Sequence, residues 1–301
     1  SGAAGAGALV RIRGNSSISA GGDPLYVVDG IPIVQDNFAI GENNGANNNP
    51  LNAINPNDIE SIDILKDASQ IAIYGSRGAN GVIIITTKSG KNTNGKPNFE
   101  YSSNIGLSKP TKIVELLNAQ EWLAVRQEAW ENDGNVGRAP LPLNLTYSDI
   151  EGNDTRWYDY IIGTGVKHEH NLGMNMGKKN WRFYLGGGYS DAGSYLKDNS
   201  FERISGRANA EVQISPKINL KFNTSLARGL NRRVHEAWAG GLGTAQTSAL
   251  PIYPIYNEDG SYFNLYGNPI AQRELQKIRF REWKSINNIN LIVSPTKNID
   301  W

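Results

Sequence analysis

From Phe99 onward, apolar and polar residues change places at every second position, and that period restricts the segment to β-strands with two unlike faces. Phe99, Tyr101, Ile105 and Leu107 share one face, with Glu100, Ser102, Asn104 and Gly106 on the other. His168, His170, Leu172, Met174 and Met176 alternate with Glu169, Asn171, Gly173 and Asn175. Trp181, Phe183, Leu185 and Tyr189 alternate with Arg182, Tyr184 and Ser190. The pattern returns at Ile204–Ile214, at Ile218–Leu226 and at Ile289–Val293, which predicts about six strands.

A two-faced strand suits a soluble sandwich as well as a membrane barrel, so the connectors carry the distinction. Gly177–Asn180, Ser215–Lys217 and Ser294–Asn298 read as tight turns. Ser108–Lys167, Asp191–Glu202 and Leu230–Arg281 read as long loops. Short turns at one end and long loops at the other are the asymmetry of an outer-membrane barrel. NAEVQISPKINLKF and NINLIVSPTKNIDW share a strand, a Ser-Pro turn and a returning strand, so Ile299–Trp301 is expected to open another strand. Trp181 and Trp301 follow tight turns and Tyr189 lies at the far end of its strand, positions suited to aromatic girdles at two membrane interfaces.

The first third has a different texture. Pro24–Val28 leads into Asp29-Gly30, a two-residue hairpin signal, and Ile31-Pro32-Ile33 returns as an edge strand, because Pro32 has no N–H for a ladder. An Asn- and Gly-rich loop follows from Asp36 to Asn57. Asp58–Lys88 reads as strand, short helix, glycine-rich turn and strand. Asp67 is placed to cap a helix running through Tyr74, and Gly75 to accept positive φ. Val82–Thr87 carries too little polar alternation to face water, so both its faces should be covered. GSRGANG follows a helix instead of opening one and lacks a Gly-Lys-Ser/Thr sequence, so no phosphate cradle is expected.

NPNDIESIDILKDASQIAIYGSRGANGVIIITTK and, before it, VRIRGNSSISAGGDPLYVVDGIPI resemble the plug domain of TonB-dependent outer-membrane transporters of the SusC/RagA-like branch. The resemblance implies an α+β plug over residues 1–88, a linker over 89–96 and the first antiparallel strands of a transmembrane β-barrel over 97–301. Such barrels close with roughly 22 strands, so this chain is expected to be a piece that does not close its own barrel. It implies import of oligosaccharides or peptides across the outer membrane of a Gram-negative bacterium, with the plug gating the lumen. The partners implied are a SusD-like surface lipoprotein, TonB acting on a segment upstream of Ser1, and outer-membrane lipid. No cofactor, metal or catalytic residue is implied.

Composition agrees with this reading and excludes others. No apolar run approaches the ~18 residues of a membrane helix. With 30 basic against 29 acidic residues there is no nucleic-acid footprint. The absence of cysteine removes thiol chemistry. SGAAGAGALV lacks the basic and apolar regions of a signal peptide, which predicts a natural start further upstream.

The remaining chemistry is sparse. His168 and His170 have no evident third ligand, and His235-Glu236 does not complete a His-Glu-x-x-His pattern. Glu60 and Asp63 fall on opposite faces of a strand, while Asp58 and Glu60 share a face with no sign of a pocket, so acid–base catalysis is unsupported; no Gly-x-Ser-x-Gly elbow is present. Val114–Trp130 reads as a loop helix with Leu116, Leu117, Trp122, Val125 and Ala129 near one stripe. The best binding candidate is Pro251–Pro269, where Tyr253, Tyr256, Tyr262 and Tyr266 lie beside Asn257, since sugars stack on aromatic faces while polar groups fix their hydroxyls. Packing of the same aromatics within the loop is the competing reading. The alternatives to an importer are a secreted β-rich carbohydrate-active enzyme and a β-sandwich binding or adhesion module; the sandwich would bury its alternating apolar faces against each other.

Overall fold

The structure, a computed structural model, describes residues 4–5, 10, 12, 23–33, 51, 54–234 and 242–294. The turn after Ser294, Trp301 and His235-Glu236 lie outside the described residues, as does most of the segment from Val10 to Gly22.

Two sheets form. The smaller contains β1 (Leu25–Val28), β2 (Ile31–Ile33), β3 (Ile59–Leu65) and β4 (Val82–Thr87) in the order β2-β1-β4-β3. Asp29 and Gly30 both take positive φ, the twist a two-residue hairpin needs, and Pro32 sits on the edge strand as expected. The central strand β4 pairs parallel with β1 and antiparallel with β3. Ile83 and Ile85 pack with Tyr26, Val28 and Ile54 on one face, while Val82 packs with Val27 and Ile71 on the other. Burial pushes the Tyr26 phenol above its ordinary pKa, with Asp23 adding to the effect.

The helix between β3 and β4 departs from expectation. α1 spans only Ala68–Ile71, and a 3₁₀ segment from Ala72 to Gly78 continues it with Gly75 at φ +59° in the kink. The Asp67 side chain makes no cap bond; its carbonyl accepts from the Gln70 and Ile71 amides instead. A single turn stabilised by Ile71 packing leaves little for a cap to add.

The larger sheet is an antiparallel meander of β5 (Asn98–Ser108), β6 (Gly165–Lys178), β7 (Trp181–Gly193), β8 (Ser200–Ser215), β9 (Ile218–Arg233) and β10 (Ile278–Val293). It is not closed: among the described residues β5 and β10 each present one unpaired edge. Tight turns join β6 to β7 and β8 to β9 at one end, and the longer connectors lie at the other. The β7–β8 connector is shorter than its sequence suggests, because the ladder continues to the pair Gly193–Ser200. β10 likewise begins at Ile278, within the segment read as loop.

The polarity of this sheet is inverted relative to a soluble protein. On β8 the odd-numbered Arg203, Ser205, Arg207 and Asn209 are buried, whereas Ile204 is 46% and Ile214 61% exposed. The register carries that inversion across the strands. Phe183, Ala210, Phe222 and Ile289 form one rung of the bare face, and Leu185, Ala208, Thr224 and Asn287 the next. On the covered face, one rung reads Asn98, Asn175, Tyr184, Asn209, Asn223 and Asn288 across all the strands.

Candidate functional site

The polar face of the large sheet is covered by the small sheet, and their junction is built almost wholly from hydrogen bonds and charge. Asp29 of the β1–β2 turn, Asp58 before β3 and Arg207 of β8 meet there. Arg207 Nη1 lies 3.2 Å from Asp29 Oδ2, and its Nε lies 3.7 Å from Asp58 Oδ2. Arg207 also donates to Thr87 Oγ1 at 3.1 Å, and Tyr184 Oη donates to Asp58 Oδ1 at 2.7 Å. Thr87 donates twice to Asp29, through its amide at 2.9 Å and its hydroxyl at 2.7 Å. All five groups are buried or nearly so, with Arg207 at 6% exposure. Buried charges of this kind are tolerated only when paired and hydrogen-bonded, and here each is.

Contacts spread outward from that centre. Asn209 Nδ2 donates to the Lys88 carbonyl at 2.7 Å and Asn288 Nδ2 to the Asp29 carbonyl at 2.8 Å. Arg203 Nη1 donates to the Ile54 carbonyl at 3.0 Å while its Nη2 lies 3.7 Å from Glu169. Asn55 Nδ2 donates to Asn171 Oδ1 at 2.6 Å, and Asn57 Nδ2 to Glu169 Oε1 at 3.2 Å. Two glycines of β7 make room: a Cβ on Gly186 would fall 2.5 Å from Asp58 Oδ1, and one on Gly188 would fall 2.3 Å from Asn55 Nδ2. Nothing in the sequence around Asp58 signals this structural role, since its partners Tyr184 and Arg207 lie far along the chain.

The long connectors form a second unit. α2 (Ala119–Asn132), α3 (Trp157–Ile161), α4 (Leu242–Thr247) and α5 (Pro269–Leu275) share one core, in which Trp157, Ile161, Ala245, Ile252, Tyr253 and Ile270 are buried. Thr155 Oγ1 donates to the Tyr253 carbonyl at 2.6 Å and Trp157 Nε1 to the Leu250 carbonyl at 3.0 Å, tying the first long connector to the last. α2 starts later than Val114. Asn118 and Glu121 form a reciprocal capping box, a signal present in the sequence but passed over. Leu116 and Leu117 precede the helix and are exposed, as are Val125 and Ala129, so the packed side is Ala119, Trp122 and Leu123.

The tyrosine-rich segment folds as a small hairpin. Tyr256 bridges Tyr262 with ring centroids 5.2 Å apart, and the Asn257 amide donates to the Ser261 carbonyl at 2.7 Å. Tyr253 is 5% exposed and packs on Phe263, with burial raising its phenol pKa. Tyr262 donates to Glu274, whose hydrogen bond and charge hold the phenol up at about 12. Tyr266 is 84% exposed. Asn268 pins the hairpin to α5: its Oδ1 accepts from the Ile270 and Ala271 amides, and its Nδ2 donates to the Ile255 and Phe263 carbonyls. Asn268→Ala removes the cap and strips the Phe263 carbonyl of its side-chain donor, while the Ile255 carbonyl keeps the Phe263 amide, with an expected cost of about 2–3 kcal/mol. Hydrogen exchange should speed up over 255–272 and leave β8 protected; uniform protection would refute the pinning role.

His168 and His170 stand on the bare face. His170 Nδ1 lies 2.8 Å from Tyr101 Oη and 3.2 Å from Ser103 Oγ, and the His168 ring packs on Tyr189. Trp181 and Phe183 pair on the same face beside the tight turn.

A family model described as the TonB-dependent Receptor Plug Domain matches residues 1–82. The chain is 37% identical over 265 residues to the TonB-dependent receptor SusC of Bacteroides thetaiotaomicron, covering 87% of this chain and 24% of that protein. It is 35% identical over 286 residues to the TonB-dependent receptor P26 of Formosa agariphila, covering 91% and 26%. The chain thus spans about a quarter of the length of these relatives. In three dimensions it superimposes on a chain of the RagAB peptide importer in its closed-closed state with a TM-score of 0.76 at 22% identity, over 99% of this chain and 36% of that one. For the open-open state the TM-score is 0.75. At that identity the likeness shows a shared fold.

Proposed function

Since this chain is SusC/RagA-like and opens with the plug sequence of a TonB-dependent receptor, we propose that the protein to which it contributes imports oligosaccharides or peptides across the outer membrane of a Gram-negative bacterium. Residues 1–88 act as the plug, 89–96 as a linker and 97–301 as the first part of the barrel. The plug fills a lumen that would otherwise leak. Energy comes from TonB, and a SusD-like lipoprotein works with the loop cap. The protein acts as a transporter and not as an enzyme.

The observation that carries this reading is the inverted polarity of β5–β10. A secreted enzyme or sandwich module would bury Phe183, Leu185, Ile204 and Phe222, yet these are bare or half-bare while Arg203 and Arg207 are covered. Lipid is the solvent that accepts such a face. Substrate contact is assigned to the hairpin: Tyr256 and Tyr266 offer open rings, Asn257 and Tyr262 supply polar groups beside them, and Tyr253 supports them from below.

The test is uptake by cells carrying the full-length protein, using labelled oligosaccharides and labelled peptides. One class should enter in a TonB-dependent way. Tyr256→Ala with Tyr266→Ala should lower uptake about tenfold, the loss of roughly 1.4 kcal/mol of stacking, at unchanged membrane level. Entry of neither class through a normally inserted protein would refute import, and full uptake by the double variant would refute the hairpin assignment.

A further inference from the structure

The bare face of the large sheet is not uniform along its strands, and among the described residues several cations at its loop end have no carboxylate partner. From the tight-turn end, rungs through Trp181, Phe183, Leu185 and Gly187 are apolar or weakly polar. The next rung is Tyr189, Ile204, Arg228 and Trp283. Trp181 to Tyr189 is about 27 Å along a strand, or about 20 Å across a bilayer at ordinary barrel tilt. That is close to the height of a lipid-facing band, so Trp283 and Tyr189 mark its upper edge.

Above that edge the face becomes charged, first with two carboxylates beside one guanidinium and then, at the strand ends, with guanidinium groups alone. Asp191, Glu202, Leu230 and Arg281 form one rung, and Gly193, Ser200, Arg232 and Arg279 the last. Glu202 is engaged by Arg232 at 3.4 Å. Among the described residues Arg228, Lys277, Arg279 and Arg281 have no carboxylate within 4.0 Å. A cavity of about 570 Å³ opens at this level, lined by Arg232, Lys277 and Arg279 from the strand ends and overhung by Lys197 and Arg273 from the loops. Arg273 is matched by Asp198 at 3.2 Å, and the Lys197 ammonium donates to the Asp159 carbonyl. The cavity therefore keeps a surplus of positive charge just outside an apolar band, the level at which lipid headgroups lie.

We propose that this cavity binds the phosphorylated headgroup of an outer-leaflet lipid, with Lys277 and Arg279 as its principal contacts and Arg281 beneath them. The assignment rests on the membrane reading above. Arginine forks match phosphate oxygens, lysine adds a point charge, and Trp283 with Tyr189 packs the acyl boundary below. A free anion offers the same oxygens without the chains, and the experiment separates the two.

The full-length protein is purified from outer membranes into nanodiscs and its bound lipid read by native mass spectrometry. Binding is then titrated with a phosphorylated glycolipid, the same lipid dephosphorylated, and inorganic phosphate. The phosphorylated lipid should be retained and bind at least tenfold more tightly than either other probe. Lys277→Ala with Arg279→Ala should weaken it at least tenfold, while Lys178→Ala, at the opposite end of the strands, should leave it unchanged. Equal binding of inorganic phosphate, or undiminished lipid binding by the double variant, would overturn the proposal. Wild-type protein absent from the outer membrane would instead overturn the reading on which it rests.

Discussion

Arg207→Ala is expected to unseat the plug. The side chain is the only cation described within 4.0 Å of Asp29 or Asp58, and it is 6% exposed. Its removal leaves two buried carboxylates and the Thr87 hydroxyl facing one another, a loss of about 3–5 kcal/mol for a broken buried pair. Because the partners belong to different sheets, the cost falls on their association and not on either sheet alone. Cells carrying the full-length variant should become permeable to a large antibiotic that the intact lumen excludes, at normal barrel abundance. Adding Asp29→Asn and Asp58→Asn should restore part of the seal, since the uncompensated charge is then gone. A variant as impermeable as the parent would show that the ionic centre does not hold the plug.

The second large effect is steric and comes with its own control. Gly188→Val drives a side chain into Asn55 and Asn171, whose atoms lie 2.3 and 2.9 Å from the ideal Cβ position. Neither neighbour is the free end of a long side chain, and overpacking of this kind costs about 1–3 kcal/mol. Gly187, one residue earlier, points to the bare face, with nothing within 4 Å of its Cβ position. Gly187→Val should be neutral to within about 0.5 kcal/mol or mildly favourable, because valine suits a strand better than glycine. Disulfide trapping between a cysteine pair placed across the seal reads the difference. Equal trapping in both variants would mean that the close approach at Gly188 does not matter.

Local chemistry made much of this fold legible. The Asp29-Gly30 hairpin, the edge position of Pro32 and the alternation of β5–β10 each depend on neighbours within a few residues. So did the two tight turns. What escaped depends on distance along the chain. Asp58 meets Tyr184 across 126 positions and Asp29 meets Arg207 across 178, and no periodicity links such residues. The alternation, taken with the importer reading, leaves the even-numbered residues from Ile204 to Ile214 uncovered, as they are, but it does not identify which polar residues meet the small sheet. Gly186 and Gly188 leave the room that Asp58 and Asn55 occupy, yet in the sequence they read as indifferent strand residues. The α2 boundary was missed for a different reason. Leu116 and Leu117 extended the apolar stripe, whereas the backbone started its helix where Asn118 and Glu121 could satisfy its amides. Among the proposed substrate contacts, residue type alone did not distinguish Tyr253, buried in the loop core, from Tyr266, open to solvent.

The parallel pairing of β1 with β4 bears on how the plug answers a mechanical pull. Force applied upstream of Leu25 and resisted at Lys88, where β4 passes on toward β5, draws the two strands past each other along their length. The pairs Leu25–Val82, Tyr26–Ile83, Val27–Ile84 and Val28–Ile85 then share the load together and are not unzipped one at a time. The Thr87–Asp29–Arg207 cluster anchors the far end of that clamp. Under such a pull the four pairs should therefore yield together, so the joint is expected to hold until the load exceeds all four rungs at once.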